Sequence, residues 1–533
     1  MKITYLALLI ALLVLSACDR PPEAERTDAI EAAEVTPSAL LAPEAKPVKQ
    51  EIAWFDGSID QAFALARAQD KPLFLYWGAV WCPPCVEIKQ TAFKSQQFIA
   101  QSKLFIPVYL DGDTERAQVY GEQFGAKVYP TMIIFNPAGE EVTRLHAGIE
   151  ISAYNSVLEL SLDSMRPTRA LVDVALQDPD SLTDAELQQL AYYSWYDGQA
   201  LPEGTSPELF NILSVAASDR NPPASARFYL QYLTMLTSAL EEDNTIEKAD
   251  AEKLTAILES PKLLLASWDY LIFPEAIIPA VGGDMEVIES LHNQWGAALR
   301  ENRHNERLST KNQLYGWRPY LVFHFEDDEE KAHPLPENVV IAIQTDGKAA
   351  DESVAGTHAR QSVINTVSNI YELAGLNDDA RALLAAEIEK SRTPYYFMGS
   401  LAYLEEQQGN LSEALEWRRK AYETSKGPAT RIRWWASYVQ ALTRLAPEDS
   451  QRIQQASMEI FDKSKGMEEF FSGANYRNLS RANTSLQEWN DTLHFERSAL
   501  DDYNASLQDL CEQQSVDSPE LGKCTSLLVS AAS

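Results

Sequence analysis

The chain has 533 residues and a formal net charge of −33, and 45% of its residues are hydrophobic. This length predicts about three or four domain-sized units, and the apolar fraction is sufficient for packed cores. The negative charge excludes nucleic acid as a partner, because phosphate binding requires a concentrated positive surface.

Residues 1–17 have the pattern of a secretion signal, with Lys2 ahead of an apolar run at residues 3–15. This run is shorter than the roughly 20 apolar residues of a membrane-spanning helix. It ends in L-S-A-C, which resembles the lipobox of bacterial lipoproteins. The resemblance implies a lipid on Cys18 and a chain anchored to a membrane of the cell envelope, facing the periplasm. Asp19 resembles the signal that retains enteric lipoproteins in the inner membrane, which favours that membrane; an ordinary cleaved signal or a short uncleaved anchor is the alternative.

Residues 18–50 are rich in Pro, Ala and Glu and have no apolar periodicity. This composition predicts a lipid-anchored, disordered linker. A flexible coil of about 30 residues spans roughly 30 Å, so the domain that follows can lie clear of the bilayer.

Residues 51–165 alternate between amphipathic and continuously apolar segments, which predicts an α/β domain. The run Trp81-Cys82-Pro83-Pro84-Cys85 follows the first apolar segment directly. In chain order, the predicted elements are a helix at 58–69, a strand at 72–77, a helix from 82 to 93, a strand at 104–110, a helix at 115–124, and strands at 132–135 and 140–146.

This order resembles the thioredoxin-like family, with W-C-x-x-C after a strand and Pro-Thr before a strand some 45 residues later. Gly148 near the end of the segment fits the same pattern. The resemblance implies that Cys82 and Cys85 form the redox pair and that Pro130 is a cis-proline opposite them. It also places Tyr129 and Trp81 in contact with substrate.

The resemblance places Cys82 at a helix N-terminus, where unpaired N–H groups and the helix dipole favour a thiolate. Cys82 is expected to attack a substrate disulfide, and Cys85 to resolve the mixed disulfide. No cofactor is required. A structural disulfide or half of a metal site are the alternatives, but a zinc site needs further ligands and His146 is the only histidine in this segment.

Two positions depart from thioredoxin itself. Tyr76 lies six residues before Cys82, where thioredoxin has a buried Asp, and Tyr109 replaces a lysine of the second strand. The proton of Cys85 must therefore pass through water, Tyr76 or another acid such as Glu87.

The pair Pro83-Pro84 lacks the histidine of strongly oxidising relatives and resembles membrane-tethered reductases of the cell envelope. A reductase or isomerase is therefore favoured over an oxidase. Its partners would be client proteins with disulfides and a membrane electron donor, which this chain does not supply.

The remainder of the chain is predicted to be helical, with a helical region at 166–360 and repeats at 361–533. Cys511 and Cys524 flank a Ser-Pro turn and could form a structural disulfide in an oxidising compartment; two free thiols are the alternative.

Gly375 and Gly409 lie 34 residues apart, as do Pro394 and Pro428. Glycine at the turn between helices, a small residue on the second helix and proline at its end resemble tetratricopeptide repeats. The resemblance implies a concave groove that binds peptides or partner proteins.

The segment from Arg418 to Arg433 carries a basic cluster in an otherwise acidic chain: Arg418, Arg419, Lys420, Arg431 and Arg433. These residues either clamp carboxylates or form a solvated helix face.

Two functions therefore compete. The first is a tethered thiol–disulfide oxidoreductase whose helical part recruits clients. The second is a non-catalytic assembly lipoprotein in which the repeats bind partners and the thioredoxin fold is a scaffold.

Overall fold

A computed structural model describes residues 51–528, with the exception of residues 115, 147–149, 197–200, 202–204, 244, 327–332, 355, 465–466, 468, 493–498 and 516–517. The predicted leader, Cys18 and the predicted linker lie outside the described residues, as does Gly148.

A four-stranded mixed sheet with the order β2-β1-β3-β4 forms the centre of the N-terminal part. Strand β1 pairs in parallel with β2 and antiparallel with β3, and β3 pairs antiparallel with β4. Continuous apolar runs form the central strands because both faces of the sheet are covered. The strands are β1 (Leu73–Gly78), β2 (Ile106–Asp111), β3 (Thr131–Phe135) and β4 (Glu141–His146).

Helices cover both faces of this sheet. On one face, Leu73, Leu75 and Trp77 of β1 pack with residues of α1 and α4. On the other face, Phe74 and Tyr76 pack with residues of α2, α3 and α5. The helices are α1 (Ile59–Gln69), α2 (Pro83–Gln90), α3 (Gln96–Gln101), α4 (Ala117–Gln123) and α5 (Ile151–Ser164). The arrangement confirms the predicted thioredoxin-like α/β domain.

After α5 the described elements are helical, which confirms the predicted all-helical region. They are α6 (Thr168–Gln177), α7 (Asp184–Ala191), α8 (Glu208–Ala217), α9 (Pro222–Glu242), α10 (Glu252–Glu259), α11 (Pro261–Ala266), α12 (Trp268–Leu271), α13 (Met285–Asn302), α14 (Thr310–Tyr315), α15 (Arg318–His324), α16 (Glu337–Ser353), α17 (Thr357–Leu373), α18 (Asn377–Ile388), α19 (Tyr395–Gln407), α20 (Leu411–Thr424), α21 (Pro428–Leu445), α22 (Ser450–Ser464), α23 (Gly473–Thr492), α24 (Asp501–Glu512) and α25 (Pro519–Leu527).

The segment with the 34-residue period forms successive helical hairpins. Gly375 turns the chain between α17 and α18 at φ 73°, and Gly409 does the same between α19 and α20 at φ 74°. The prediction that proline ends the second helix of each hairpin is wrong. Pro394 immediately precedes α19 and Pro428 is the first residue of α21. Proline is tolerated at a helix start because the N–H groups there have no acceptor within the helix.

The α/β domain and the helical region share one hydrophobic cluster. This cluster joins Phe74 and Tyr76 of the sheet to Trp435 of α21 and to Leu527 of α25. Helix α2, which begins directly after Cys82, packs against α17. The helical region therefore folds over the edge of the α/β domain that carries the cysteines.

Candidate functional site

Cys82 is the residue that caps the N-terminus of α2. Its sulfur accepts a hydrogen bond from the backbone N–H of Cys85 at 3.4 Å. Pro83 occupies the first turn, where a missing N–H costs nothing. The sulfurs of Cys82 and Cys85 are not bonded to each other. The structure thus brings the two predicted redox cysteines to one helix end.

Cys85 is fully buried beneath the end of β1. The backbone N–H of Ala79 donates to its sulfur at 3.5 Å, and the Tyr76 hydroxyl donates to its carbonyl oxygen at 3.2 Å. Burial, with the charge of a Cys85 thiolate, raises the pKa of Tyr76 far above its usual range. Tyr76 therefore remains protonated and acts as a hydrogen-bond donor rather than as a base.

Glu87, the other acid suggested by the sequence, turns towards the helical region. Its carboxylate accepts a hydrogen bond from the Ser362 hydroxyl at 3.2 Å and lies 3.7 Å from the ammonium group of Lys311. Glu87 therefore contacts the interface between the two parts of the chain.

Lys89 is a residue of this site that the sequence did not indicate. Its ammonium group donates to the Tyr109 hydroxyl at 2.8 Å, and that hydroxyl donates to Asp111 at 3.1 Å. Burial lowers the pKa of Lys89, while a charged Cys85 would raise it. The lysine that β2 lacks at Tyr109 is thus supplied from α2, four residues after Cys85.

The predicted substrate-contacting residues surround Cys82. The Tyr129–Pro130 peptide bond is cis, and the Cys82 thiol donates to the Tyr129 carbonyl oxygen at 3.6 Å. The ring of Trp81 meets the ring of Tyr129 edge-on, with centroids 5.7 Å apart. The backbone next to Pro130 therefore lies where a substrate sulfur would approach Cys82.

The helical region holds the loop in front of Cys82. Asp113 accepts hydrogen bonds from the backbone N–H of Thr430 at 2.9 Å, from the Thr430 hydroxyl at 2.5 Å and from the Trp81 indole at 3.1 Å. Gln361 donates to the Trp81 carbonyl oxygen. At Gly427, with φ 89°, an added side-chain carbon would lie 2.5 Å from the Asp113 carboxyl carbon, so this approach requires glycine.

The helix N-terminus favours a Cys82 thiolate, as expected, but burial opposes it in this closed arrangement. Cys82 is 3% exposed, and burial raises its pKa well above the usual range. The N–H of Cys85 and the charge of Arg433 act in the opposite direction, but burial outweighs them. The covering helices, which local sequence does not indicate, cause the difference.

Most of the predicted basic cluster is occupied by ion pairs. Arg419 pairs with Glu416 and Glu423, and Lys420 lies 3.8 Å from Glu416. Arg433 is different, because its guanidinium lies over the Trp81 ring, 4.8 Å from the ring centroid.

Cys511 and Cys524 form a disulfide between α24 and α25. Of the two states that the sequence left open, this is the one that the structure shows. Throughout the described ranges, no helix combines the length and the apolar character needed to cross a membrane.

Comparison with known protein families identifies one matching segment. Residues 53–137 match the model of a thioredoxin-like family. This segment contains β1, the Cys82 motif and Pro130, and it ends shortly after β3. No curated protein matches the chain.

Proposed function

We propose that this chain is a thiol–disulfide oxidoreductase that acts on client proteins. The observation that carries the proposal is the pair of unbonded thiols at the N-terminus of α2, with Cys82 3.6 Å from the carbonyl oxygen that precedes cis-Pro130. A thioredoxin-like fold with this pair is consistent with such an activity.

The proposed reaction has two exchange steps. The Cys82 thiolate attacks one sulfur of a client disulfide, forms a mixed disulfide and releases one client thiolate. The Cys85 thiolate then attacks Cys82, forms the Cys82–Cys85 disulfide and releases the second client thiolate. Two electrons pass from the cysteine pair to the client, and an external dithiol must return them for another cycle.

We favour reduction or isomerisation over oxidation, because Pro83 and Pro84 provide no histidine to stabilise a Cys82 thiolate. Thiol trapping in cells tests the direction. A mostly reduced Cys82–Cys85 pair supports a reductase, and a mostly oxidised pair contradicts it.

Replacing Cys85 with Ser tests the activity, because a mixed disulfide through Cys82 can then no longer be resolved. We expect covalent client adducts that disappear on reduction. The double variant Cys82→Ser/Cys85→Ser is the control and should trap nothing.

A non-catalytic assembly role is the second candidate, and the near-complete burial of Cys82 favours it. This role is supported if no adducts are trapped and the double cysteine variant functions fully in cells.

We also propose that the chain is tethered to an envelope membrane through a lipid on Cys18, as the L-S-A-C run suggests. Replacing Cys18 with Ser should move the protein from the membrane fraction to the soluble fraction. An unchanged distribution would contradict the tether.

A further inference from the structure

A cavity of about 350 Å³ opens beside Cys82, between the α/β domain and the helical region. Cys82 and the two prolines that follow it form one wall. The opposite side comes from α21 and α23, together with the loop that leads to cis-Pro130. The charged residues that line the cavity are Lys127, Arg433, Arg477 and Arg481.

All four charged residues of this cavity are basic, although acidic residues outnumber basic ones by 78 to 45 in the chain. Arg477 and Arg481 lie one turn apart on α23. Burial lowers the pKa of Arg477 and the charge of Arg481 adds to this effect, whereas Tyr129 and the Glu122 carboxylate act in the opposite direction. Among the ion pairs of the described residues, none joins a carboxylate to one of the four cations at 4 Å or less. Such a concentration of like charge favours an anionic ligand.

A second cavity, of about 340 Å³, lies next to the first. Tyr396 and Arg433 line both cavities. The second cavity is lined mainly by residues of α17, α19 and α21. Ser400 and Asn365 hydrogen-bond each other there at 3.0 Å, and Asn369 supplies a further side-chain amide. An amide of this kind can hydrogen-bond the backbone of an extended chain.

The shape of the site selects against a folded client surface. Cys82 is 3% exposed, and it is reached through a cavity rather than across an open face. A flexible segment can enter such a cavity, whereas a disulfide held within a compact domain cannot without displacement of the helices.

We infer that the substrate presented to Cys82 is an extended peptide segment with carboxylates beside its cysteine. The carboxylates lie against Arg477, Arg481 and Lys127, and the backbone continues past Arg433 into the groove of the helical hairpins. This inference rests on the proposed oxidoreductase function and specifies the substrate class of the same site.

The test uses the full chain with Cys85→Ser and three peptides of equal length. Each peptide has one cysteine, flanked by glutamate, glutamine or lysine, and activated as a 2-pyridyl disulfide. Attack by the Cys82 thiolate forms the Cys82–peptide disulfide and releases 2-thiopyridone, which is neutral and absorbs light. The second-order rate is measured for each peptide at low and high salt.

We expect the glutamate peptide to react roughly tenfold or more faster than the glutamine peptide, and the lysine peptide to react slowest. Salt should reduce this difference. The double variant Arg477→Gln/Arg481→Gln should bring the glutamate and glutamine rates close together. If the double variant does not fold, Arg481→Gln alone should reduce the preference. Arg419→Gln, which lies outside the cavity, should retain it.

The outcomes distinguish failure of the proposed oxidoreductase function from failure of the proposed preference for acidic peptide segments. If no peptide reacts, the oxidoreductase function fails. If all three react equally, the function stands and the preference for acidic segments is wrong. A pyridyl disulfide of glutathione that reacts as fast as the long glutamate peptide would overturn the peptide assignment and identify a small anionic disulfide as the substrate.

Discussion

The contact between Thr430 and Asp113 should control access to Cys82. The Thr430 side chain is 1% exposed, and its hydroxyl donates to the Asp113 carboxylate at 2.5 Å. Thr430→Val keeps the shape and the backbone N–H but removes this donor. A hydrogen bond to a charged group contributes about 1.5–3 kcal/mol.

If the lost hydrogen bond destabilises the closed state and leaves the open state unchanged, the open population rises about 10- to 150-fold, because about 1.4 kcal/mol corresponds to a factor of ten. The assay is alkylation of Cys82 by a maleimide coupled to a polymer too large for the cavity, followed by peptide mass spectrometry. When closing is faster than alkylation, the rate is proportional to the open population, so it should rise by the same factor.

Thr345→Val is the matched control, because the exposed Thr345 hydroxyl bonds only to the Ile341 carbonyl within its own helix. Its alkylation rate should equal that of the parent chain. Equal rates in Thr430→Val and Thr345→Val, with both variants folded, would refute the idea that the helical region limits access to Cys82.

Two further predictions concern stability. Arg227 is 1% exposed and forms two hydrogen bonds with Asp269, so Arg227→Met should lower the free energy of unfolding in urea by about 3–5 kcal/mol. In the control pair, Lys348 and Glu352 are 77% and 68% exposed, and Lys348→Met should lower it by about 0–1 kcal/mol. Equal losses in the two variants would contradict this prediction. Burial raises the pKa of Glu469 above its ordinary value of 4.5, so the folded state binds this proton more tightly than the unfolded state, and the resulting stability is lost as the pH rises through the raised pKa. Relative to the parent chain, Glu469→Gln should therefore gain Tm as the pH rises above 4.5, whereas the exposed Glu413→Gln should not; parallel curves for the two variants would refute this expectation.

The α/β part could be predicted from the sequence because its signals are local. A continuous apolar run predicts β1, and Cys82 followed by proline predicts the start of a helix directly after it. The turn glycines Gly375 and Gly409 likewise identified the hairpins, because only a residue that tolerates positive φ fits there.

The covering of the site could not be predicted, because its contacts join distant positions. Thr430 and Asp113 are 317 residues apart, and Gln361 and Trp81 are 280 apart. Each of these residues belongs to an unremarkable local pattern. The burial that opposes a Cys82 thiolate could not be predicted for the same reason, since a helix N-terminus is a local signal and burial is not.

The position of Arg477 and Arg481 near Cys82 could not be predicted from the sequence either. Two like charges four residues apart on a helix usually indicate a solvated face, and no neighbouring residue suggests otherwise. Only the packing of α23 beside the loop that precedes Pro130 brings these arginines near Cys82.

The hydrophobic cluster that joins Phe74 to Leu527 also determines when the fold can be completed. About 450 residues separate the two, which takes a ribosome roughly 20–90 s at about 5–20 residues per second. During most of that interval the nascent chain lacks α21 and α23, which line the cavity in front of Cys82. Until translation has supplied these helices, Cys82 lacks the cover that leaves it 3% exposed in the complete chain.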